Sequence, residues 1–362
     1  MVLRTAITVL TQFLAFDVPV CVSQFTLDEV LRHAKDVDEV LGTDFAVRLR
    51  SKCALSYPAL CVHSSQMQTA AADSSDARSA AYSNVTEYTE LSPDVASDVL
   101  SKRGLVAKKY VLYLSRVIEA KGIFELVAAY RASGLSAAGI QLLIVGRGEA
   151  LKDVQDVTAG DPNIRHMTDM ADAEKASIFN GAASCKLAML SRFGRACHPS
   201  LKSITIADIL PSKFHPTFVE TFGIVITEAM LTECGPVITC RTGGIPEAAG
   251  DDAQHPTCVF AEVDNTDTTG AHQDCLEESL KLCLNRVVLE MTAEEKETMT
   301  SEARKYSMQF GREQVFGLLE AKATVAREAK RVTTAPNSPS ATPEKGPAAP
   351  APVSRTRRTA LD

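Results

Sequence analysis

From about residue 104 to 325 the chain alternates short, nearly uninterrupted apolar runs with longer stretches whose apolar residues recur every three or four positions. The runs at 110–115, 141–145, 163–167, 205–210, 236–240 and 258–261 have strand length, and their continuous apolar character marks strands covered on both faces. After the first run, Ile123, Leu126, Val127 and Tyr130 make a one-sided stripe that stops at Ser133-Gly134, which predicts a helix packed on a sheet. Two further helices, 272–291 and 293–308, close this part. Alternation of this kind predicts an α/β, Rossmann-like, doubly wound parallel sheet with its ligand at the carboxyl ends of the strands.

The flanks read differently. Residues 1–103 hold helix-like segments such as FTLDEVLRHAKDVDEVLG and a polar, low-complexity passage from Gln66 to Asn84. The first sixteen residues are compatible with a short signal sequence, but Thr5, Thr8, Thr11 and Gln12 dilute the apolar stretch, which favours a buried strand or helix. Residues 326–362 form a tail, Pro/Ala/Ser-rich from about Thr333, that cannot bury enough surface to order itself. Its Arg355, Arg357 and Arg358 read as a solvated charge cluster.

Composition narrows the partners. A net charge of −7 argues against non-specific nucleic-acid binding, and no run of eighteen apolar residues predicts a membrane span. Ten cysteines occur without a C-x-x-C pair or a Cys/His spacing suited to zinc, so no metal site is expected and the thiols read as reduced, in a cytoplasmic protein. Asp169 and other carboxylates leave a metal open. The sequon Asn84-Val85-Thr86 matters only in a secreted chain.

The densest chemistry lies between Pro211 and Glu247, where Glu220 and Glu228 are separated by seven residues with Phe222-Gly223 between them. A helix starting near Gly223 would aim its first N–H groups at the loop carrying Glu220, and a glycine there lets a diphosphate approach. Glu228, about one turn in, could accept two hydrogen bonds from a ribose diol, and Glu220 could hold sugar hydroxyls near the reacting carbon. The set describes a nucleotide-sugar. The alternative is a surface helix with two solvated glutamates.

In its wider context the segment resembles the donor-binding half of the retaining GT-B glycosyltransferases of group 1. The glutamate, seven-residue, glutamate motif matches Glu220 and Glu228; Phe222-Gly223 and Glu228-Ala229-Met230 follow the pattern, and a Gly-Gly-x-x-Glu turn matches Gly243, Gly244 and Glu247. Upstream, residues 110–130 resemble the family's strand ending in Arg, here Arg116, with Lys121-Gly122 at a helix start, and Gly146-Arg147-Gly148 stands where the family has a Val-Gly-x-Gly turn. Residues 163–167 resemble the strand beside the base, with His166 an incidental strand residue.

The resemblance implies a GT-B fold with a donor domain over 104–325, and a hexosyltransferase acting on a nucleotide-diphosphate sugar with retention of configuration. Catalytic roles fall to Glu220, Arg116 and Lys121. Donor binding falls to Phe222, Gly223, Ile224, Glu228, Gly146, Gly148, Gly243 and Gly244. No cofactor is implied beyond the donor, and the acceptor (sugar, lipid or protein) is open.

Two departures bear on turnover. Residues 1–100 contain one glycine, Gly42, so no Gly-rich loop can be built and the acceptor side, 1–103, is expected to be shortened or divergent. Residues 184–206 are an insertion relative to the family, and His215 stands unusually close to Glu220. His33 and His63 read as structural or surface residues. A catalytically inactive nucleotide-sugar-binding or regulatory module derived from the same fold is the competing reading.

Overall fold

The computed structural model describes residues 2–63, 87–89, 93–171, 174, 177–179, 208–211, 218–232, 234–251, 256–263 and 273–334. The low-complexity passage 66–84, the 184–206 insertion, His215 and the tail from 335 lie outside the described residues.

The N-terminal part comprises α1 (Val2–Ala15), β1 (Val20–Cys21), α2 (Gln24–Leu41), α3 (Phe45–Lys52), β2 (Ala54–Leu55), β3 (Cys61–His63), β4 (Glu87–Thr89) and α4 (Pro93–Lys102). The opening apolar segment is thus a helix. Helices α1 to α3 bury Leu10, Leu31, Ala34, Val37, Ala46 and Leu49 against one another. Helix α2 starts at Ser23, whose hydroxyl accepts from the Thr26 N–H, and stops at Gly42, whose φ of 65° lets the chain leave in a left-handed turn. The strands here are short parallel pairs, β1 with β2 and β3 with β4.

The second part carries β5 (Tyr110–Leu114), α5 (Ile123–Ala132), β6 (Gln141–Val145), α6 (Leu151–Val157), β7 (Ile164–Met167), β8 (Asp208–Leu210), α7 (Ile224–Leu231), β9 (Val237–Cys240), α8 (Ile245–Ala249), β10 (Cys258–Ala261), α9 (Gln273–Asn285), α10 (Ala293–Ser307) and α11 (Arg312–Thr334). Among the described residues six strands run in the order β10-β9-β8-β5-β6-β7, every neighbouring pair parallel. Chain order reverses between β5 and β8, and the loops leaving those two strands at their carboxyl ends frame the crevice where such sheets bind ligands.

Both sheet faces are buried, as the apolar runs require. Tyr110, Leu112, Leu143 and Val145 point into one core cluster, and Val111, Tyr113, Leu142 and Ile144 into the other. Each such buried side chain contributes about 1.5–3 kcal/mol. The buried tyrosines keep their hydroxyls paired, Tyr110 donating to the Ile178 carbonyl at 2.6 Å and Tyr113 to the Arg116 carbonyl at 2.8 Å.

Two boundaries move. The helix expected over 272–291 ends at Asn285 and gives way to a π-helical turn, Arg286–Glu290, before the capping box of Thr292 and Glu295 starts α10. Helix α11 continues to Thr334, past the boundary set at 326, because the segment after Ala321 is rich in alanine, lysine, arginine and glutamate, all strong helix formers. The N-terminal part meets this end of the chain: Leu60 N–H donates to the Phe310 carbonyl at 2.8 Å, and Lys322 Nζ to the Leu55 carbonyl at 3.1 Å. Among the described residues no helix is long and apolar enough to cross a membrane.

Candidate functional site

Strand β5 delivers its carboxyl end to a loop carrying Arg116 and then a 3-10 turn, Glu119–Lys121, closed by Gly122 at φ 64°. A β-carbon on Gly122 would lie 2.1 Å from the Pro211 carbonyl oxygen, so only glycine lets this turn press against the end of β8. The turn at Gly146–Gly148 interlocks with the same loop. Val117 N–H donates to the Arg147 carbonyl at 2.9 Å and Ala150 N–H to the Val117 carbonyl at 3.1 Å. β-carbons on Gly146 and Gly148 would fall 1.9 Å from the Ser115 and 2.1 Å from the Val117 carbonyl oxygens.

The glutamate loop is gripped in a similar way. Gly244 N–H donates to the Glu220 carbonyl at 2.9 Å. A β-carbon on Gly243 would lie 2.1 Å from that carbonyl oxygen, and one on Gly244 2.0 Å from that of Thr221. Phe222 is buried, Gly223 takes φ 89° at the start of α7, and Ile224 is exposed. Glu228 is buried within α7, one turn along.

The charged side chains converge across the β5–β8 gap. Lys121 Nζ donates to a carboxylate oxygen of Glu220, in a pair whose side chains are 6% and 14% exposed. Burial pushes the Lys121 ammonium below the usual lysine range and the neighbouring Arg116 adds to that, while Glu220 opposes it. The Phe218 ring sits against both cations, its centroid 5.0 Å from Lys121 Nζ and 5.3 Å from the Arg116 guanidinium carbon.

The residues singled out in the sequence as Arg116, Lys121 and Glu220 are therefore brought together, with Phe222, Gly223, Ile224 and Glu228 on the adjoining helix start. Gly146, Gly148, Gly243 and Gly244 each have a backbone reason to be glycine, the close passage of one loop over another. His166 stands on β7 against Thr158, its Nε2 2.8 Å from the hydroxyl. Asp169 is exposed beside Arg103, 3.8 Å away. His33 is exposed on α2, and His63 lies on β3.

Phe218 was not foreseen, although an extended chain puts it on the same side as Glu220. Nor were the partners of Glu247. Its carboxylate accepts from the Gln24 N–H at 2.6 Å, the Phe25 N–H at 2.7 Å and the Tyr57 hydroxyl at 3.3 Å. One signal existed: α2 has no acidic residue in its first turn, so its leading N–H groups need an acceptor from elsewhere.

Residues 101–279 match the family model of glycosyl transferases group 1. No curated protein sequence matches the chain. Among solved structures, HepE of Anabaena in complex with UDP and glucose is similar over 92% of this chain and 68% of its own, at 13% identity and a TM-score of 0.55. Sucrose-phosphate synthase of Thermosynechococcus elongatus aligns over 90% of this chain and 62% of its own, at 15% identity and a TM-score of 0.54. The E. coli trehalose-6-phosphate protein bound with UDP-2-fluoro glucose aligns over 89% and 63%, at 9% identity and a TM-score of 0.53. The chain thus spans about two thirds of the length of these structures. At such identities the likeness is one of fold, and it agrees with the parallel six-stranded sheet and its glycine-locked loops. Residues 101–279 belong to the group 1 glycosyl transferases, and the fold is GT-B.

Proposed function

We propose that the chain is a hexosyltransferase that binds a nucleoside-diphosphate sugar at the carboxyl ends of β5 and β8 and transfers the sugar with retention of configuration. The observation that carries this reading is the meeting of Arg116 and Lys121, from the loop after β5, with Glu220, from the loop after β8, at the point where strand order reverses. Arg116 and Lys121 neutralise the diphosphate, and the Gly223 and Ile224 amides at the start of α7 add N–H donors. Lys121 exchanges its Glu220 partner for a phosphate oxygen, which frees the Glu220 carboxylate for sugar hydroxyls. Glu228 takes the ribose diol.

The bond from the anomeric carbon to the phosphate oxygen breaks through an oxocarbenium-like state. The electron pair leaves with the diphosphate, one of whose oxygens takes the acceptor's proton as the acceptor oxygen attacks from the same face. In this scheme side chains supply the positive charge. UDP-sugars are the first donors to try, since HepE was solved with UDP and glucose and a second structure with UDP-glucose. A binding or regulatory module is the second reading, favoured by the two- and three-residue strands that make up the described N-terminal sheets.

Thermal shift against UDP-, GDP- and ADP-sugars tests donor binding. A ligand at about 100 times its Kd should stabilise the protein by about 2.7 kcal/mol, and Glu228→Ala should remove most of that. If no nucleotide-sugar raises Tm, the donor reading fails. Donor hydrolysis or transfer that is lost in Glu220→Ala supports the transferase, while binding without turnover against a broad acceptor panel supports the module.

A further inference from the structure

Glu247 ends the Gly-Gly-x-x-Glu turn, and the proposed reaction gives its side chain no task. Its carboxylate belongs to the N-terminal part of the fold instead. Ser23 satisfies the Thr26 N–H of α2, while Glu247 takes those of Gln24 and Phe25 from a position 223 and 222 residues away in sequence. Helix α8, which carries Glu247, begins just after Gly244, and Gly244 N–H holds the Glu220 carbonyl. A second path runs through Tyr57, which donates to Glu247 and stacks its ring 5.5 Å from Phe222, next to Gly223 at the start of α7. Tyr57 and Phe222 also share Phe310, each at 5.2 Å.

We infer that Glu247 is a positioning residue: it ties the geometry of the Glu220 loop to the docking of the N-terminal region, through Gly244 on one side and through Tyr57 and Phe222 on the other. The inference rests on the donor-site reading. With α2 docked, residues 218–223 hold the arrangement that accepts the donor; with α2 released, they relax and donor binding weakens. Coupling of this kind is reciprocal, so a bound nucleotide tightens the start of α2.

Two substitutions cut the link from opposite sides. Glu247→Gln leaves one acceptor oxygen where two amides need one each. Gln24→Pro deletes an amide at the first helical position, where proline is tolerated, and Ser23, at φ −157° and ψ 159°, already has the extended backbone that precedes a proline. Residue-resolved hydrogen exchange on the full chain reads the result. Both variants should speed exchange at Phe25 and within 218–223 by about tenfold while β6 and β7 stay unchanged. Faster exchange confined to α2, or spread equally through β6 and β7, overturns the inference.

The second arm adds UDP, GDP and ADP singly. The nucleotide that raises the wild-type Tm should slow exchange at Phe25 and bind Glu247→Gln about tenfold more weakly, a size usual for such couplings. Equal affinity for both proteins overturns the coupling and leaves the donor reading standing. If none of the three raises Tm, the donor reading fails, and exchange in the unliganded protein still decides the coupling.

Discussion

Lys121 donates to the carboxylate of Glu220, 99 residues further along, and the two meet because β5 and β8 are neighbours at the centre of the sheet. Lys121 is buried and Glu220 half-buried, so the pair's attraction is set against the cost of withdrawing both charges from water.

Removing one partner leaves the other charge largely withdrawn from water and without its counter-charge. Lys121→Met or Glu220→Gln should each destabilise the protein by about 3–5 kcal/mol, and the double replacement should cost clearly less than the sum of the two. Denaturant unfolding of the single and double variants measures this. Strict additivity would mean that the two charges do not depend on each other.

The glycines give a contrast within one substitution type. Gly243→Ala drives a methyl to about 2.1 Å from the Glu220 carbonyl at φ 55°, whereas Gly139, at φ 71°, has nothing within 4 Å. Gly139→Ala should cost about 1–2 kcal/mol, the penalty of the left-handed backbone alone. Gly243→Ala should cost about 3 kcal/mol or more and weaken nucleotide binding, because Glu220 moves with its carbonyl. Thermal unfolding and a nucleotide titration of both variants separate the outcomes.

His166 predicts a pH dependence. Thr158 donates its hydroxyl proton to the Val154 carbonyl at 2.7 Å, so the imidazole Nε2 is the donor in the contact with Thr158. The buried Nδ1 has no hydrogen-bond partner among the described residues. Burial therefore holds the His166 pKa below its ordinary 6.5. With the folded pKa lowered, the unfolded chain binds the extra proton first, and stability falls as pH drops below about 6.5. His166→Gln should flatten that part of the stability profile; an unchanged acid limb would show that the imidazole does not titrate on unfolding.

Much of the donor half was legible because its determinants are local. Tyr110–Leu114 and Gln141–Val145 are apolar runs of strand length, and the spacing of Ile123, Leu126, Val127 and Tyr130 sets the buried face of α5. Arg116, Lys121 and Glu220 could be placed together because parallel strands deliver their loops to one edge. Long-range contacts were not legible. No periodicity reveals that Glu247 caps a helix starting at Gln24, or that Tyr57 reaches Phe222. The glycines at 146, 148, 243 and 244, expected to contact the donor, each also face the carbonyl of another loop, which only the folded chain brings near. No helix was expected over Arg312–Thr334, although its helix formers run past residue 326 into the Pro-rich stretch without a stop signal.

The central claim is that the loops after β5 and β8 form a nucleotide-sugar site, and calorimetric titration with UDP-glucose, followed by other nucleotide-sugars, tests it most directly. The account predicts saturable 1:1 binding of one of these donors, weakened at least about tenfold by Lys121→Met and by Glu228→Ala in protein that remains folded. Binding that is absent from the wild type for every donor, or identical in all three proteins, would contradict it.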